Sequence, residues 1–143
     1  MNIEKMTKLR DWLRDMIPAR SSTFNWHVWG MKKHDTDQLI TGTELLYDNS
    51  CDTCGCVAGW TCALFRPSTL LASFRAPKAA KEELELTEAE AEFLFTPQLN
   101  YRWNPLADEY VMAIGLIDDG LRGAISRIDF LLERYGHGKI SDK

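Results

Sequence analysis

The sequence contains no apolar run that approaches the roughly 18 residues expected of a membrane-spanning helix. Its first residues, MNIEKMTKLRDWLRDM, are charged throughout and lack the unbroken apolar segment that forms the core of a signal peptide. We therefore expect a protein that has no membrane partner and that works in the cytoplasm.

Motifs for catalysis are missing as well. The chain has no glycine-rich phosphate loop, no zinc-protease motif and no nucleophile elbow. Its three histidines are His27, His34 and His137, and none lies in a motif with a Ser, Cys or carboxylate that would form a catalytic triad. The sequence therefore predicts a protein that is not an enzyme.

The chain also lacks an excess of positive charge, since its formal net charge is −4. Non-specific nucleic-acid binding depends on Lys and Arg that neutralise phosphates. A helix-turn-helix is not expected either, because Pro97 follows the helix predicted to begin at Thr87. The next segment contains only Arg102 as a cation before Asn104. We expect no sequence-specific nucleic-acid partner.

The composition is that of an ordinary globular protein, with 45% hydrophobic and 27% charged residues in a chain of 143. We predict a mainly α-helical, single compact domain over 1–143, whose last helix ends at Gly136 and whose tail, 137–143, is disordered. Apolar residues at helical spacing and capping signals predict helices or helical turns over 2–17, 39–47, 55–66, 78–86, 87–96, 104–117 and 121–135. Thr87 and Glu90 predict a capping box, and Asn104-Pro105 predicts a helix start with Asn104 as the cap.

Two segments of the N-terminal third have no clear period. Residues 21–30, SSTFNWHVWG, are dense in aromatic side chains and predict an irregular aromatic-rich N-terminal arm whose rings are buried against the core. Residues 32–37 predict a polar loop.

The stretch 51–66, CDTCGCVAGWTCALFR, predicts the helix around which the other elements pack. Read as a helix from about residue 55, it places Gly55, Gly59 and Ala63 on one face at four-residue intervals. Glycine within a helix costs about 1 kcal/mol relative to alanine, a cost that close packing of a neighbouring helix offsets. We therefore expect a buried, central helix.

All four cysteines lie in this stretch. If the protein holds zinc, its ligands are Cys51, Cys54, Cys56 and His34, although the spacing is unlike that of paired zinc knuckles. A redox role is another alternative, because the Cys51-x2-Cys54 pair precedes a helix whose dipole lowers a thiol pKa. We favour the interpretation that Cys56 and Cys62 are small buried packing residues, and we expect no cofactor.

Two groups of side chains are candidates for a partner-binding surface. Aromatic residues in loops are frequent interface anchors, although burial in the core is the alternative. The aromatic candidates are Trp26, Trp29, Tyr101 and Trp103. The second group is an acidic strip that forms a solvated helix face or, on a sharper hypothesis, imitates nucleic-acid phosphates and occupies a basic groove on a partner. The acidic candidates are Glu83, Glu88 and Glu92.

Four short motifs follow one another along the chain. They are Phe24-Asn25-x3-Trp29, Cys51-x4-Cys56-Val57-Ala58-Gly59-Trp60, Leu86-Thr87-x3-Ala91-x2-Leu94-Phe95 and Ala124-Ile125-x2-Ile128-Asp129-x-Leu131-Leu132. In this order they resemble a family of small uncharacterised proteins of bacteriophages, prophages and their hosts, with the pattern FDxxxW, CGxxxCxAGW and LTxxxAxxLF. The chain departs from that pattern at Asn25, where Asp is usual, and at Asp52, where Gly is usual.

The resemblance implies a phage or mobile-element protein that acts in a bacterial host. With the small size, the acidity and the missing catalytic motifs, we expect a non-catalytic protein that binds a host protein or protein complex. An inhibitor of a bacterial defence system, anti-CRISPR-like in its action, fits this description. The alternative is a thiol-based redox enzyme or a zinc-stabilised binding module that uses the cysteines from Cys51 to Cys62.

Overall fold

A computed structural model describes residues 1–15, 24, 30–32, 35–46, 53–72, 75–96, 99, 103–115 and 120–141. These ranges form a mainly helical domain, as predicted. Seven helices and three short strands occur in them: α1 (Ile3–Asp15), β1 (Met31–Lys32), β2 (Asp35–Leu39), α2 (Gly42–Leu46), β3 (Thr53–Cys54), α3 (Val57–Phe65), α4 (Ala76–Leu84), α5 (Glu88–Phe95), α6 (Pro105–Ala113) and α7 (Gly120–Ser141).

Helix α3 lies at the centre of the domain, and the prediction of a buried central helix is confirmed. Every residue from Val57 to Ala63 is buried. The helix packs most extensively against α2 and α4, and it also contacts α1 and α5. The indole of Trp60 is fully buried and lies 5.9 Å, centroid to centroid, from that of Trp12 on α1.

Helix α2 approaches α3 closely at Gly42. A Cβ atom at this position would lie 3.0 Å from the Cα of Ala63 and 3.0 Å from the carbonyl oxygen of Cys62. Both are backbone atoms that cannot rotate away, so a side chain at this position would push the two helices apart. Ala63 was predicted to permit close packing of another helix. It does so, and the helix that packs against it is α2.

The three strands form a small antiparallel sheet in the order β2-β1-β3. The polar loop predicted over 32–37 is wrong where Lys32 and Asp35 pair with each other across β1 and β2. Strands of two to five residues carry little or no alternating pattern, and Asp is depleted in strands, so the sequence lacked the usual signal.

The aromatic arm predicted over 21–30 lies outside the described residues except for Phe24 and Gly30. Phe24 forms a single parallel bridge with Gly55 and packs, partly buried, against the core.

Helix α5 is capped at its first turn as the sequence predicted. The hydroxyl of Thr87 accepts a hydrogen bond from the backbone N–H of Glu90 at 3.2 Å, and the Glu90 carboxylate accepts one from the backbone N–H of Thr87 at 2.8 Å. At the other end, Arg127 of α7 donates to the carbonyl oxygens of Phe93 at 3.2 Å and of Thr96 at 2.6 Å. Arg127 is only 4% exposed.

Helix α7 thus contacts both ends of α5. The phenol of its Tyr135 lies near Glu90, whose carboxylate belongs to the N-terminal cap. Burial of the phenol, together with the nearby carboxylate, raises the pKa of Tyr135 to about 12. The two contacts hold this short helix at its first and last turns. At those turns the terminal backbone N–H and C=O groups have no partner within the helix itself.

Three aromatic rings join α5, α6 and α7 between these contacts. The ring centroids of Phe93, Tyr110 and Phe130 lie 5.4, 5.8 and 5.4 Å apart in pairs, and two of the three pairs meet edge to face. The hydroxyl of Tyr110 donates to the Oγ of Ser126 at 2.8 Å. This cluster joins α5, α6 and α7 into one packed unit.

Two helix ends differ from the prediction. Helix α6 ends at Ala113 and not at Ile117, because Gly115 adopts a positive φ of 96° that no right-handed helix accommodates. Helix α7 continues past Gly136 to Ser141, so the cap predicted at Gly136 is wrong. Glycine lowers helix propensity but does not by itself end a helix. The disorder predicted for 137–143 stays a prediction.

None of the helices described combines the length and the apolarity needed to cross a membrane.

Replacing Arg127 by Met should lower the free energy of unfolding by about 2–3 kcal/mol, because two carbonyl oxygens at the end of α5 lose a charged donor. Urea denaturation followed by circular dichroism measures this loss. The matched control is Arg122→Met on the same helix at an exposed position, for which we expect a change within about 0.5 kcal/mol. Equal losses in the two variants would contradict the assignment.

Candidate functional site

Trp103 is the most conspicuous side chain on the described surface. It is 81% exposed, whereas the other described tryptophans, Trp12 and Trp60, are half-buried and fully buried. A large aromatic ring left in water is unusual, because burial of an indole is strongly favourable. Of the two interpretations open for this residue, core and surface, the structure supports the surface.

Asn104 determines where Trp103 lies. It is the N-cap of α6, as predicted, and its Oδ1 accepts a hydrogen bond from the backbone N–H of Leu106 at 3.0 Å. Its Nδ2 donates to the carbonyl oxygen of Ala89 on α5 at 2.8 Å. The buried amide therefore ties the start of α6 to α5, and the preceding residue, Trp103, is held beside the surface of α5.

A groove runs along α5 next to Trp103 and has a volume of about 490 Å³. Helix α5 contributes five lining residues, and all of them except Ala89 share one face, because they are spaced three and four apart. Two of them, Ala91 and Phe95, are buried and form the bottom, while the exposed residues form the rim. We call this depression the Trp103 groove and define it by Pro77, Glu88, Ala91, Glu92, Phe95 and Trp103.

The rim of the Trp103 groove is negatively charged. Across the described ranges, no Lys or Arg nitrogen lies within 4.0 Å of the Glu92 carboxylate, whose nearest polar contact is the Nδ2 of Asn104 at 3.4 Å. Glu88 forms an ion pair with Lys81, but its side chain is 89% exposed. Exposed pairs of this kind contribute at most about 1 kcal/mol. The groove therefore combines an aromatic ring, an apolar bottom and a carboxylate that pairs with no cation among the described residues.

Glu83 lies elsewhere and has a different role. Its carboxylate forms ion pairs with Lys5 of α1 and with Arg66, the residue that follows α3, and its side chain is 15% exposed. The hydrogen bonds from Lys5 and then Arg66 hold the pKa of Glu83 below its ordinary value. Of the three glutamates proposed as an acidic strip, the structure brings Glu88 and Glu92 to the groove and places Glu83 in a bridge between three helices.

Several residues selected from the sequence lie outside the described residues. They are Trp26, Trp29, Tyr101, Cys51 and His34. Cys54 belongs to β3, but its side chain is not among those described.

The two cysteines whose side chains are described, Cys56 and Cys62, are fully buried at α3. Burial raises the pKa of the Cys56 thiol to about 11 and that of the Cys62 thiol to about 12. The Sγ of Cys62 lies 3.5 Å from the carbonyl oxygen of Ala76. A reactive thiol needs a lowered pKa and access to solvent, so these two have the properties of packing residues.

Within the described part of the chain, no three His, Cys, Asp or Glu side chains are grouped so as to hold a metal ion. Zinc ligation by Cys51, Cys54, Cys56 and His34 stays a prediction, because three of these four side chains are not described.

The sequence reasoning missed the exposed apolar residues at the end of α6. Met112 is 82% exposed and Ile114 is 49% exposed, although the helix predicted over 104–117 includes both. Helix α6 ends at Ala113, one residue before Ile114. The bottom of the Trp103 groove had a signal in the sequence, since the spacing of Ala91 and Phe95 relative to Glu88 and Glu92 places all four on neighbouring rows of one helix.

Glu83→Gln should lower the free energy of unfolding at pH 7 by about 1 kcal/mol, because the bridge to Lys5 and Arg66 loses its charge. A carboxyl group whose pKa is lowered by folding stabilises the fold above its unfolded-state pKa of about 4.3 and loses this effect as the pH falls through the folded-state pKa. The difference between variant and wild type should therefore shrink below about pH 4. Thermal melts over a pH series measure it.

The matched control for this variant is Glu82→Gln, since Glu82 is adjacent on α4, is more exposed and pairs among the described residues only with Arg66, at 3.1 Å. A loss for Glu82→Gln as large as that for Glu83→Gln, or a Glu83→Gln loss that persists at low pH, would contradict the bridge.

In a Cys51→Ser, Cys54→Ser variant, Cys56 and Cys62 should be unreactive towards a thiol reagent such as dithionitrobenzoate at pH 8. They should react within seconds to minutes only after unfolding, because burial removes access and raises the thiol pKa. The absorbance of the thiolate released from the reagent gives the number of cysteine thiols that have reacted. Rapid reaction in the folded protein would show that one of the two thiols is accessible.

Comparisons with protein-family models, with curated proteins and with solved structures find no match to this chain. The likeness to small phage and prophage proteins therefore stays a prediction from the sequence motifs, and the geometry of the Trp103 groove is what supports a function.

Proposed function

We propose that this chain is a non-catalytic interaction protein of a phage or other mobile element, which works in the bacterial cytoplasm. It binds a host protein complex through the Trp103 groove and inhibits a defence system such as CRISPR–Cas. The observation that carries the binding function is a tryptophan, 81% exposed, at the rim of an apolar-bottomed groove.

The exposed indole of Trp103 is available for contact with a partner. Tryptophan is enriched among the residues that dominate binding energy at protein interfaces, where it fills a pocket or closes one. Covering an indole of about 200 Å² at about 25 cal/mol per Å² corresponds to roughly 5 kcal/mol of hydrophobic free energy before the costs of association. One contact of this size is a substantial fraction of the binding energy of a micromolar complex, about 8 kcal/mol.

The groove is also held in shape before a partner arrives. Its α5 wall is capped at one end by Thr87 and Glu90 and bonded at the other by Arg127, and Asn104 bonds the start of α6 to its first turn. A preformed surface loses little conformational entropy on binding. This supports a recognition surface on the folded domain.

The inhibitory role rests on the motif resemblance and on charge. Complexes that handle nucleic acid present basic surfaces, and an acidic protein, with a formal net charge of −4 and a carboxylate at its groove, is electrostatically complementary to them. A redox or zinc-based function would depend on Cys51, Cys54 and His34, and no described feature favours it over partner binding.

Trp103→Ala should reduce the amount of host protein captured by the tagged chain from nuclease-treated bacterial lysate at least ten-fold, with an unchanged melting temperature. A loss of this size is expected when an interface anchor is truncated, since such residues contribute about 2 kcal/mol or more. Quantitative mass spectrometry of the captured proteins measures it.

The control is Met112→Ala, which removes another exposed apolar side chain outside the groove. A second measurement tests inhibition: in a strain with an active CRISPR–Cas system, the wild-type chain should raise the plating efficiency of a targeted phage and Trp103→Ala should not. Equal capture by Trp103→Ala and wild type would refute the proposed binding site. Unchanged plating with the wild-type chain would refute the inhibition of that system.

A further inference from the structure

The chemistry of the Trp103 groove indicates what kind of side chain it receives. We propose that the groove binds an arginine on the surface of the partner protein, with the guanidinium over the Trp103 indole and paired with the Glu92 carboxylate. This inference rests on the proposed function and adds the identity of the contacting group.

A cation is favoured by the two carboxylates of the rim, of which Glu92 has no cationic partner among the described residues. Glu92 is exposed, its neighbour in space is the neutral amide of Asn104 at 3.4 Å, and no described Lys or Arg pairs with it. The second carboxylate of the rim, Glu88, is engaged only by an ion pair at the surface with Lys81, which an incoming cation can replace at small cost. An anion or a phosphate backbone would meet two carboxylates instead.

Arginine fits the remaining lining better than lysine. A planar guanidinium stacks on an aromatic face and donates two parallel hydrogen bonds to one carboxylate, whereas an ammonium is a strongly hydrated point charge. The exposed indole and the carboxylate belong to the same groove, so one guanidinium can use both. Its aliphatic stem, or an apolar neighbour in the partner, then covers Ala91 and Phe95 at the bottom.

Arginine is also the charged residue that protein interfaces use most. It is enriched there together with tryptophan, while lysine is depleted. A protein partner with an exposed arginine is therefore the occupant that matches the aromatic ring, the carboxylates and the apolar bottom at once.

The test uses short peptides as probes and the full-length chain. Three peptides of the form Ac-Gly-Leu-X-Leu-Gly-NH2 differ only at X, which is arginine, lysine or citrulline, the neutral analogue of arginine. They are titrated to 10 mM into ¹⁵N-labelled protein, and the indole N–H signals of its five tryptophans are followed by NMR. A Trp103→Phe variant identifies the signal of Trp103.

The arginine peptide should shift the Trp103 indole signal in a saturable way, the lysine peptide should bind more weakly, and the citrulline peptide more weakly still. Glu92→Gln should weaken the arginine peptide about five-fold, the effect expected of an exposed charged pair, while the citrulline peptide is unaffected. The matched control is Glu4→Gln, which removes one exposed negative charge on α1, away from the groove, and should leave both affinities unchanged.

Three results would overturn the inference. They are the absence of a saturable shift, equal affinities for the arginine and citrulline peptides, and equal weakening by Glu4→Gln and Glu92→Gln, which would indicate diffuse attraction by net charge. These failures are separable from failure of the proposed function. If Trp103→Ala abolishes partner capture but Glu92→Gln preserves it, the groove is the binding site and the arginine is wrong.

Discussion

The burial of α3 from Val57 to Ala63 is the constraint on which the remaining structure depends. A helix covered on every side needs residues without unsatisfied polar groups around its whole circumference. From Val57 to Ala63 the chain meets this condition, since even Thr61 satisfies its hydroxyl internally through the carbonyl oxygen of Val57 at 2.8 Å. Small residues then decide how near the covering helices lie, as Gly42 does for α2. The surrounding elements are arranged to cover this one helix.

The Trp103 groove lies on α5, one of the helices that pack against α3. Helix α5 packs on α3 with one side and faces the groove with another, and α7 fixes its two ends through Arg127 and Tyr135. Because the start of α6 is bonded to the first turn of α5 by Asn104, the exposed ring stands beside a wall whose position is determined by the core. The Trp103 groove is thus supported by buried hydrogen bonds, although the residues that form its rim are themselves in solvent.

What the sequence predicted well was determined by residues near one another in the chain. The capping box of Thr87 and Glu90 and the Asn104-Pro105 helix start involve neighbours within three residues, and both are present in the structure. The mainly helical fold and the buried α3 followed from periodicity. By contrast, the small sheet depends on pairing between short segments whose own residues have no strand pattern, so local reasoning assigned part of it to a loop.

In the candidate site, too, the features that could not be predicted depend on contacts between residues far apart in the chain. Glu83, Glu88 and Glu92 belong to one acidic stretch of sequence, yet Glu83 is paired with Lys5, 78 residues away, and with Arg66, 17 residues away. Nothing within the stretch distinguishes it from the other two. In the same way, the exposure of Trp103 depends on the contact between Asn104 and Ala89, 15 residues apart, and not on the identity of the tryptophan's neighbours.

The two-ended attachment of α5 also has a consequence for the order in which the protein matures during synthesis. An eight-residue helix is too short to persist in water by itself. The carbonyl oxygens at its C-terminal end accept hydrogen bonds from Arg127, which is 31 and 34 residues further along the chain from Thr96 and Phe93. On a ribosome that releases the chain from its N-terminus, α5 emerges long before α7, so the wall of the groove becomes stable only when the last helix docks. The surface proposed above for partner binding is therefore incomplete in a nascent chain until that helix has been made.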